Sequence, residues 1–341
     1  MRCRLTLLMC ALALLGVLAA PAAATHVSCG EVITQDTTLD SDLVDCPGDG
    51  VVIGAGDITL DLAGHTIDGT GTDAGNQGVD NNASDNVTVM NGHIRQFQAA
   101  VSIRAAGANE IRGLSLAESG IAVFAQDSSA TLIEGNVIRS SRAGVLLLRE
   151  GNFNEVRGNS VSGSQTAISV AGFGSEPLNH TLVADNRVFE NVTGVLFATA
   201  RNTLATGNHV TRNAEEGLIV TAGSDSSRIE GNVANDNGTV GILVSGSSRV
   251  QITSNRTWDN GGDGVEVRDP TVTDISIVGN FSKGNGDDGI DVDTPSATLA
   301  DNKAIRNGDF GIEAVPGVTD GGGNKAHANG NPAQCLNVAC R

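Results

Sequence analysis

Glu266, Asp291 and Glu313 hold the same place in three successive stretches of this chain, each two residues after a glycine and one after an aliphatic residue. Asp263, Asp287, Asp288 and Asp309 crowd the positions just before those glycines, and Asp293 follows Asp291 by two as Arg268 follows Glu266. If the three stretches lie side by side as strands, their carboxylates stack at a spacing of ~4.8 Å. Such a stack cannot be fully ionised without a cation or raised pKa values. Oxygens from Asp263, Glu266, Asp288, Asp291 and Asp293 would suit a hard divalent cation, calcium first. Alternatively, Asp287, Asp288 and Asp291 would exchange protons with a substrate, with Lys283 as a further catalytic candidate.

A second group lies on the stretch that precedes each acidic turn. Arg256, Phe281, Lys303 and Lys325 recur at one position, and Trp258, Lys283 and His327 two residues later. Cations contact uronate carboxylates and an aromatic face accepts a sugar ring, so Arg256, Trp258, Arg268, Phe281 and Lys303 are the expected substrate contacts. In a lyase, a metal on Asp288 and Asp291 would acidify the proton beside a uronate carboxyl, and Lys283 or Arg268 would remove it. In a hydrolase, two carboxylates would work across the glycosidic bond. The plainer alternative is that Asp and Gly form good turns, so that a repeated acidic turn is merely solvated.

The elements that position these residues are repeats. Paired Asn five residues apart recur at Asn186 and Asn191, Asn208 and Asn213, Asn232 and Asn237, and onward to Asn324 and Asn329. A glycine followed by an aliphatic residue recurs with them, from Gly78-Val79 to Gly311-Ile312, at a period of 20 to 27 residues. Such a period means a solenoid. Apolar residues alternate within short runs, as in Ile290 and Val292, which excludes helical repeats and predicts three short strands per turn of a parallel β-helix. Asn at one turn position can pass amide hydrogen bonds up the stack and is itself a candidate for left-handed backbone geometry.

On these Asn and Gly marks the chain resembles the right-handed parallel β-helix repeat proteins, over about residues 50 to 330. That superfamily includes pectate lyases, polygalacturonases, alginate epimerases and NosD-like periplasmic proteins. The resemblance implies an all-β, single-stranded right-handed parallel β-helix of about eleven or twelve coils. The run Gly286-Asp287-Asp288-Gly289-Ile290-Asp291 is similar to the paired-Asp segment of polygalacturonases, while their Asn-Thr-Asp, Gly-His-Gly and Arg-Ile-Lys segments have no counterpart. The Asp-Pro-His-Glu segment of alginate epimerases is also missing, since Asp269-Pro270 continues as Thr271-Val272. The NosD-like resemblance implies copper, but three Met and six His without a His or Cys cluster are a poor set for it.

Arg2 and Arg4, the apolar run Leu5 to Ala20 and the triplet Ala22-Ala23-Ala24 read as a signal peptide over residues 1–24. Export to a secreted, periplasmic or cell-surface location is the expectation, with no membrane span. Cys29, Cys46, Cys335 and Cys340 remain after the leader, one pair at each end of the repeats. Of three possible connectivities the local one, Cys29 with Cys46 and Cys335 with Cys340, is expected. The domains then read as an N-terminal cap segment over 25–50, the β-helix over 51–330 and a C-terminal disulfide cap over 331–341. Without the leader, 19 basic residues face 39 acidic ones, a formal charge of −20. That surface repels nucleic acid and anionic membrane. With one Trp and no Tyr, the chain is not a general carbohydrate-binding module.

In the middle coils the outward position becomes Leu146, Ser169, Leu196, Ile219 and Leu243, an apolar stripe that wants a loop, a partner or a different inside-outside assignment. The function expected is the binding, with cleavage as a further step, of an acidic extracellular polysaccharide or cell-surface glycan on the C-terminal coils. An enzyme would be a polysaccharide lyase or glycoside hydrolase. The alternative is a non-catalytic surface protein or adhesin whose apolar stripe meets a protein partner.

Overall fold

The computed structural model describes residues 24–73, 75–173 and 177–341. The expected leader therefore lies outside the described residues, apart from Ala24. Among the described residues every regular element is a β-strand, and no helix is long and apolar enough to cross a membrane. The strands pair in parallel and stack as a right-handed parallel β-helix of thirteen coils. Each coil runs through three faces. The first face carries thirteen strands from Glu31–Ile33 to Ile312–Ala314. The second runs from Thr37–Thr38 to Thr319–Gly322, and the third from Leu43–Cys46 to Lys325–His327.

Thirteen coils exceed the eleven or twelve expected. The additional coil runs through Glu31 to Cys46, inside the segment assigned to a cap, and pairs with Val51–Ile53. It escapes the repeat pattern because a Glu, not an aliphatic residue, follows its glycine, and because it carries no Asn pair.

The aliphatic half of each Gly-aliphatic mark points inward. Val101, Val123, Val145, Ile168 and Val195 stand in register on the first face, each with no exposed surface. That column continues through Val265, Ile290 and Ile312. A fully buried aliphatic side chain contributes about 1.5–3 kcal/mol, so the column is the main cohesive force between coils. The alternation holds in the middle coils too. Leu146, Ser169, Leu196, Ile219 and Leu243 pair in register between fully buried neighbours, so they point outward as expected.

Two columns of buried Asn mark the corners. Between the second and third faces, Asn136, Asn159, Asn186, Asn208, Asn232, Asn255, Asn280, Asn302 and Asn324 are linked by Nδ2 to Oδ1 bonds of 2.9–3.1 Å. Each Oδ1 also accepts the backbone N–H of the Asn below it, as Asn255 does from Asn232 at 2.9 Å. Between the third and first faces a second column runs from Asn191 to Asn329, and Gln334 Oε1 closes it at 3.0 Å. The Asn themselves are not left-handed. The residue before each one is, whether Gly231, Ser254, Asp259, Asp301 or Arg306. That residue turns the chain so that the Asn side chain enters the interior, which corrects the expectation that the Asn would supply the positive φ.

Cys29 is bonded to Cys46 and Cys335 to Cys340, one bridge at each end. The C-terminal loop lies across the last coil, where Leu336 N–H donates to Ile312 O at 2.9 Å and Arg341 N–H to Asn324 O at 3.1 Å. It covers an edge that would otherwise pair with other chains.

Replacing Asn255 by Ala leaves the Asn232 N–H and the Ile229 carbonyl without the partners they have now. A cost of about 2–4 kcal/mol follows from two buried unsatisfied groups, read as a lower urea midpoint. Ser254→Gly, at a position with φ of 56°, is tolerated or slightly stabilising in the same assay.

Candidate functional site

Register on the first face brings the acidic residues together. Glu266, Asp291 and Glu313 pair directly across the strands Val265–Val267, Ile290–Val292 and Ile312–Ala314. Asp263 and Asp288 stand at the preceding corner, and Arg268 and Asp293 at the following one, so the last three coils carry a short ladder of carboxylates. Although this row points outward, Asp263, Glu266 and Asp288 are 9%, 5% and 4% exposed. The carboxylates cover one another, and Arg268 lies across Glu266 with its Nη2 2.8 Å from Oε2 and its Nε on Oε1.

Backbone donors enter the ladder as well. Asp288 N–H donates to Asp263 Oδ1 at 2.7 Å, and Phe310 N–H to Asp288 Oδ1 at 2.6 Å. These bonds favour ionised carboxylates, but burial outweighs them. Burial pushes Asp263 up to about 6, helped by the charges of Glu266 and Asp287. Asp291 is pushed up to about 7 by burial and then by Asp293, Asp263, Glu313 and Glu266. Asp288 rises to about 8, from burial first and then from a hydrogen bond to the Glu313 carboxyl and the charge of Asp263. Asp288 therefore holds its proton near neutrality. Arg268 is held above its ordinary value by its bonds to Glu266.

Three carboxylate groupings bring oxygens within 4.8 Å of one another: Asp263 with Glu266 and Asp291, Asp263 with Asp287 and Asp288, and Asp288 with Asp309 and Glu313. Four of the five expected ligands, Asp263, Glu266, Asp288 and Asp291, take part. Asp293 joins no grouping and acts on Asp291 through its charge. Asp287, Asp309 and Glu313 were not among the expected ligands, although Glu313 shares the row of Glu266 and Asp291, which was the signal for it. Each grouping offers three carboxylate oxygens, a set that suits a hard cation whose remaining positions go to water or a ligand.

The expected cations and aromatics lie on the adjoining face. Arg256, Trp258, Phe281, Lys283 and Lys303 all point outward from the third face, on strands Arg256–Trp258, Phe281–Lys283 and Lys303–Ile305. The corner from Asp259 to Asp263 separates them from the ladder. Of the expected substrate contacts only Arg268 shares the acidic face, and its guanidinium is already engaged by Glu266. The cations and aromatics thus flank the carboxylates from the adjoining face of the same coils, as their place on the strand before each acidic turn implied.

With this geometry in place, two family models match the chain: a right-handed β-helix region over residues 178–331 and the periplasmic copper-binding protein NosD over residues 29–176. Copper does not fit the ligands found. Every grouping of candidate ligands among the described residues is made of carboxylates, and all lie beyond the segment that NosD matches. No curated protein matches the chain in sequence. Among solved structures, the periplasmic alginate epimerase AlgG is similar at 15% identity and a TM-score of 0.64, covering 81% of this chain and 78% of its own. A tailspike protein of an E. coli bacteriophage, in complex with a pentasaccharide, is similar at 11% identity and a TM-score of 0.56, with coverages of 91% and 73%. A pectate lyase is similar at 12% identity and a TM-score of 0.52, with coverages of 89% and 80%. At these identities the likeness is one of fold.

The raised carboxylates set a pH dependence of unusual sign. Between the ordinary aspartate value of 3.8 and about 8, the folded chain holds protons that the unfolded chain has released. Stability therefore falls as pH rises through that window. Asp288→Asn with Asp291→Asn removes both groups while an amide oxygen can still accept the Phe310 N–H. After discounting for the partial exposure of Asp291, the variant is expected to gain about 1 kcal/mol or more over the parent near pH 8 and nothing near pH 4. Melting temperatures across that range check it.

Proposed function

We propose that this right-handed parallel β-helix repeat protein is exported and binds an acidic extracellular polysaccharide on its C-terminal coils, through a divalent cation held by the carboxylate ladder. The observation that supports this reading most is the set of overlapping carboxylate groupings on the first face, where oxygens that can release protons to a cation lie within 4.8 Å of one another. Calcium is the expected ion, because the ligands are all oxygen and the groupings are irregular. A bound calcium would leave coordination positions for uronate carboxylates, which the bare ladder would repel. The β-helix neighbours include proteins named for alginate and pectate, which is consistent with a uronate polymer as ligand.

The reading stops at binding. A lyase needs a basic group beside the metal, and Lys283 stands on the third face while Arg268 is tied to Glu266. The ladder does offer an acid in Asp288, whose carboxyl is pushed up to about 8 by burial, so chemistry there would begin from proton donation.

Calorimetric titration with calcium tests the proposal. The parent is expected to bind calcium with defined stoichiometry, more tightly at pH 8 than at pH 5, because cation and proton compete for the same carboxylates. The Asp288→Asn, Asp291→Asn variant is expected to lose that binding. Polygalacturonate or alginate should be retained by the parent in calcium and released by EDTA. A folded variant that binds calcium and polymer as the parent does would sink the ladder as the site.

A further inference from the structure

The third face of the same coils carries a feature the ladder does not use. Arg256, Phe281 and Lys303 stand in one row, and Trp258 and Lys283 in the row beside it. The Arg256 guanidinium lies 5.8 Å from the Trp258 ring centre and 5.5 Å from that of Phe281, and the Lys303 ammonium lies 5.8 Å from Phe281. Together with Asp259 and Lys283, Arg256, Trp258 and Phe281 line a shallow pocket of about 300 Å³. A cation laid over aromatic faces is partly dehydrated and fixed in direction, which lowers the cost of binding an anion with its remaining N–H donors.

The charges around the pocket make this arrangement distinctive. Elsewhere on this acidic protein about half of the described arginines are ion-paired, as Arg95 is with Asp68, Arg104 with Asp80, Arg212 with Glu190 and Arg249 with Asp225. Arg256, Lys283 and Lys303 have no carboxylate within ion-pair distance among the described residues. Three cations free of carboxylate partners meet two rings here, one of them the single Trp, and three of the six cation-ring contacts among the described residues fall in this one spot.

We infer that this pocket is a second, metal-independent site that binds one anionic sugar residue, its carboxylate or sulfate on Arg256 and Lys283 and its ring against Trp258. Asp259 at the rim accepts a sugar hydroxyl. The inference shares with the preceding reading only the class of polymer, and it needs no metal ion. It gives the C-terminal coils contacts on two faces: a cation-bridged one on the first and a direct one on the third.

Trp258 makes the test simple, because it is the only Trp and the chain has no Tyr. Its emission would be followed in EDTA as short oligomers of galacturonate, dextran sulfate and neutral dextran are titrated in. A saturable change with either anion and none with dextran is expected, and a preference between the two anions names the group bound. Arg256→Ala with Lys283→Ala should weaken that response about tenfold or more. Asp288→Asn with Asp291→Asn should leave it unchanged, which separates this site from the ladder. No response to either anion, an equal response to dextran, an unweakened cation variant or a dependence on the ladder aspartates would each overturn the inference.

Discussion

Both candidate sites of this molecule depend on coils stacking in register, and from Asn136 onward the buried Asn columns help to enforce it. A coil displaced by one residue would turn its aliphatic residues to water and would also strip two donors and an acceptor from each Asn at its corners. Aliphatic packing alone tolerates sliding, because one Val resembles the next. The amide bonds do not, since Asn232 finds Asn255 Oδ1 at one position only. Once register is held this way, any residue type repeated at one position becomes a ladder. Valine repeated inward makes a core, and aspartate or glutamate repeated outward makes a cluster of carboxylates.

The two candidate sites follow from that rule applied to adjoining faces. On the first face the repeat raises carboxylates above their usual range, so the surface is charged less than its composition implies and is ready to exchange protons for a cation. On the third face the same coils repeat cations and rings, held apart from the ladder by one short corner. Opposite charges that would neutralise each other on one surface are kept distinct because a strand presents its outward residues to one side only.

Much of this was legible in the sequence. The Gly-aliphatic mark places Glu266, Asp291 and Glu313 on one row because alternation in a strand has a period of two, and the observed register agrees. The turn between the two groups was legible as well, since Gly284, Asn285, Gly286 and Asp287 part Lys283 from Asp288. Spacing does not give the angle at which the chain leaves one face for the next. Nor could spacing show that Arg268 would fold over Glu266 and leave it 5% exposed, since that depends on a rotamer. The first coil went uncounted because Glu31 occupies an aliphatic place. The Asn were recognised as corner residues, but the positive φ belongs to the residue before each, where Ser254 or Arg306 accepts a geometry usually left to glycine.

The Asn columns have one more property, which is direction. Each Oδ1 accepts from the coil below it, so every side-chain carbonyl in both columns faces the N-terminal end. Aligned amides add their dipoles, as peptide units do along a helix, and hydrogen bonds in series polarise one another. The solenoid is thus electrically polar along its axis, with partial positive charge towards its C-terminal coils. The last amide of the first column, Asn324, donates to Asp320 at 3.2 Å, a carboxylate at the positive terminus. The coils that carry the greatest density of acidic side chains are those towards which this built-in field is most welcoming to negative charge.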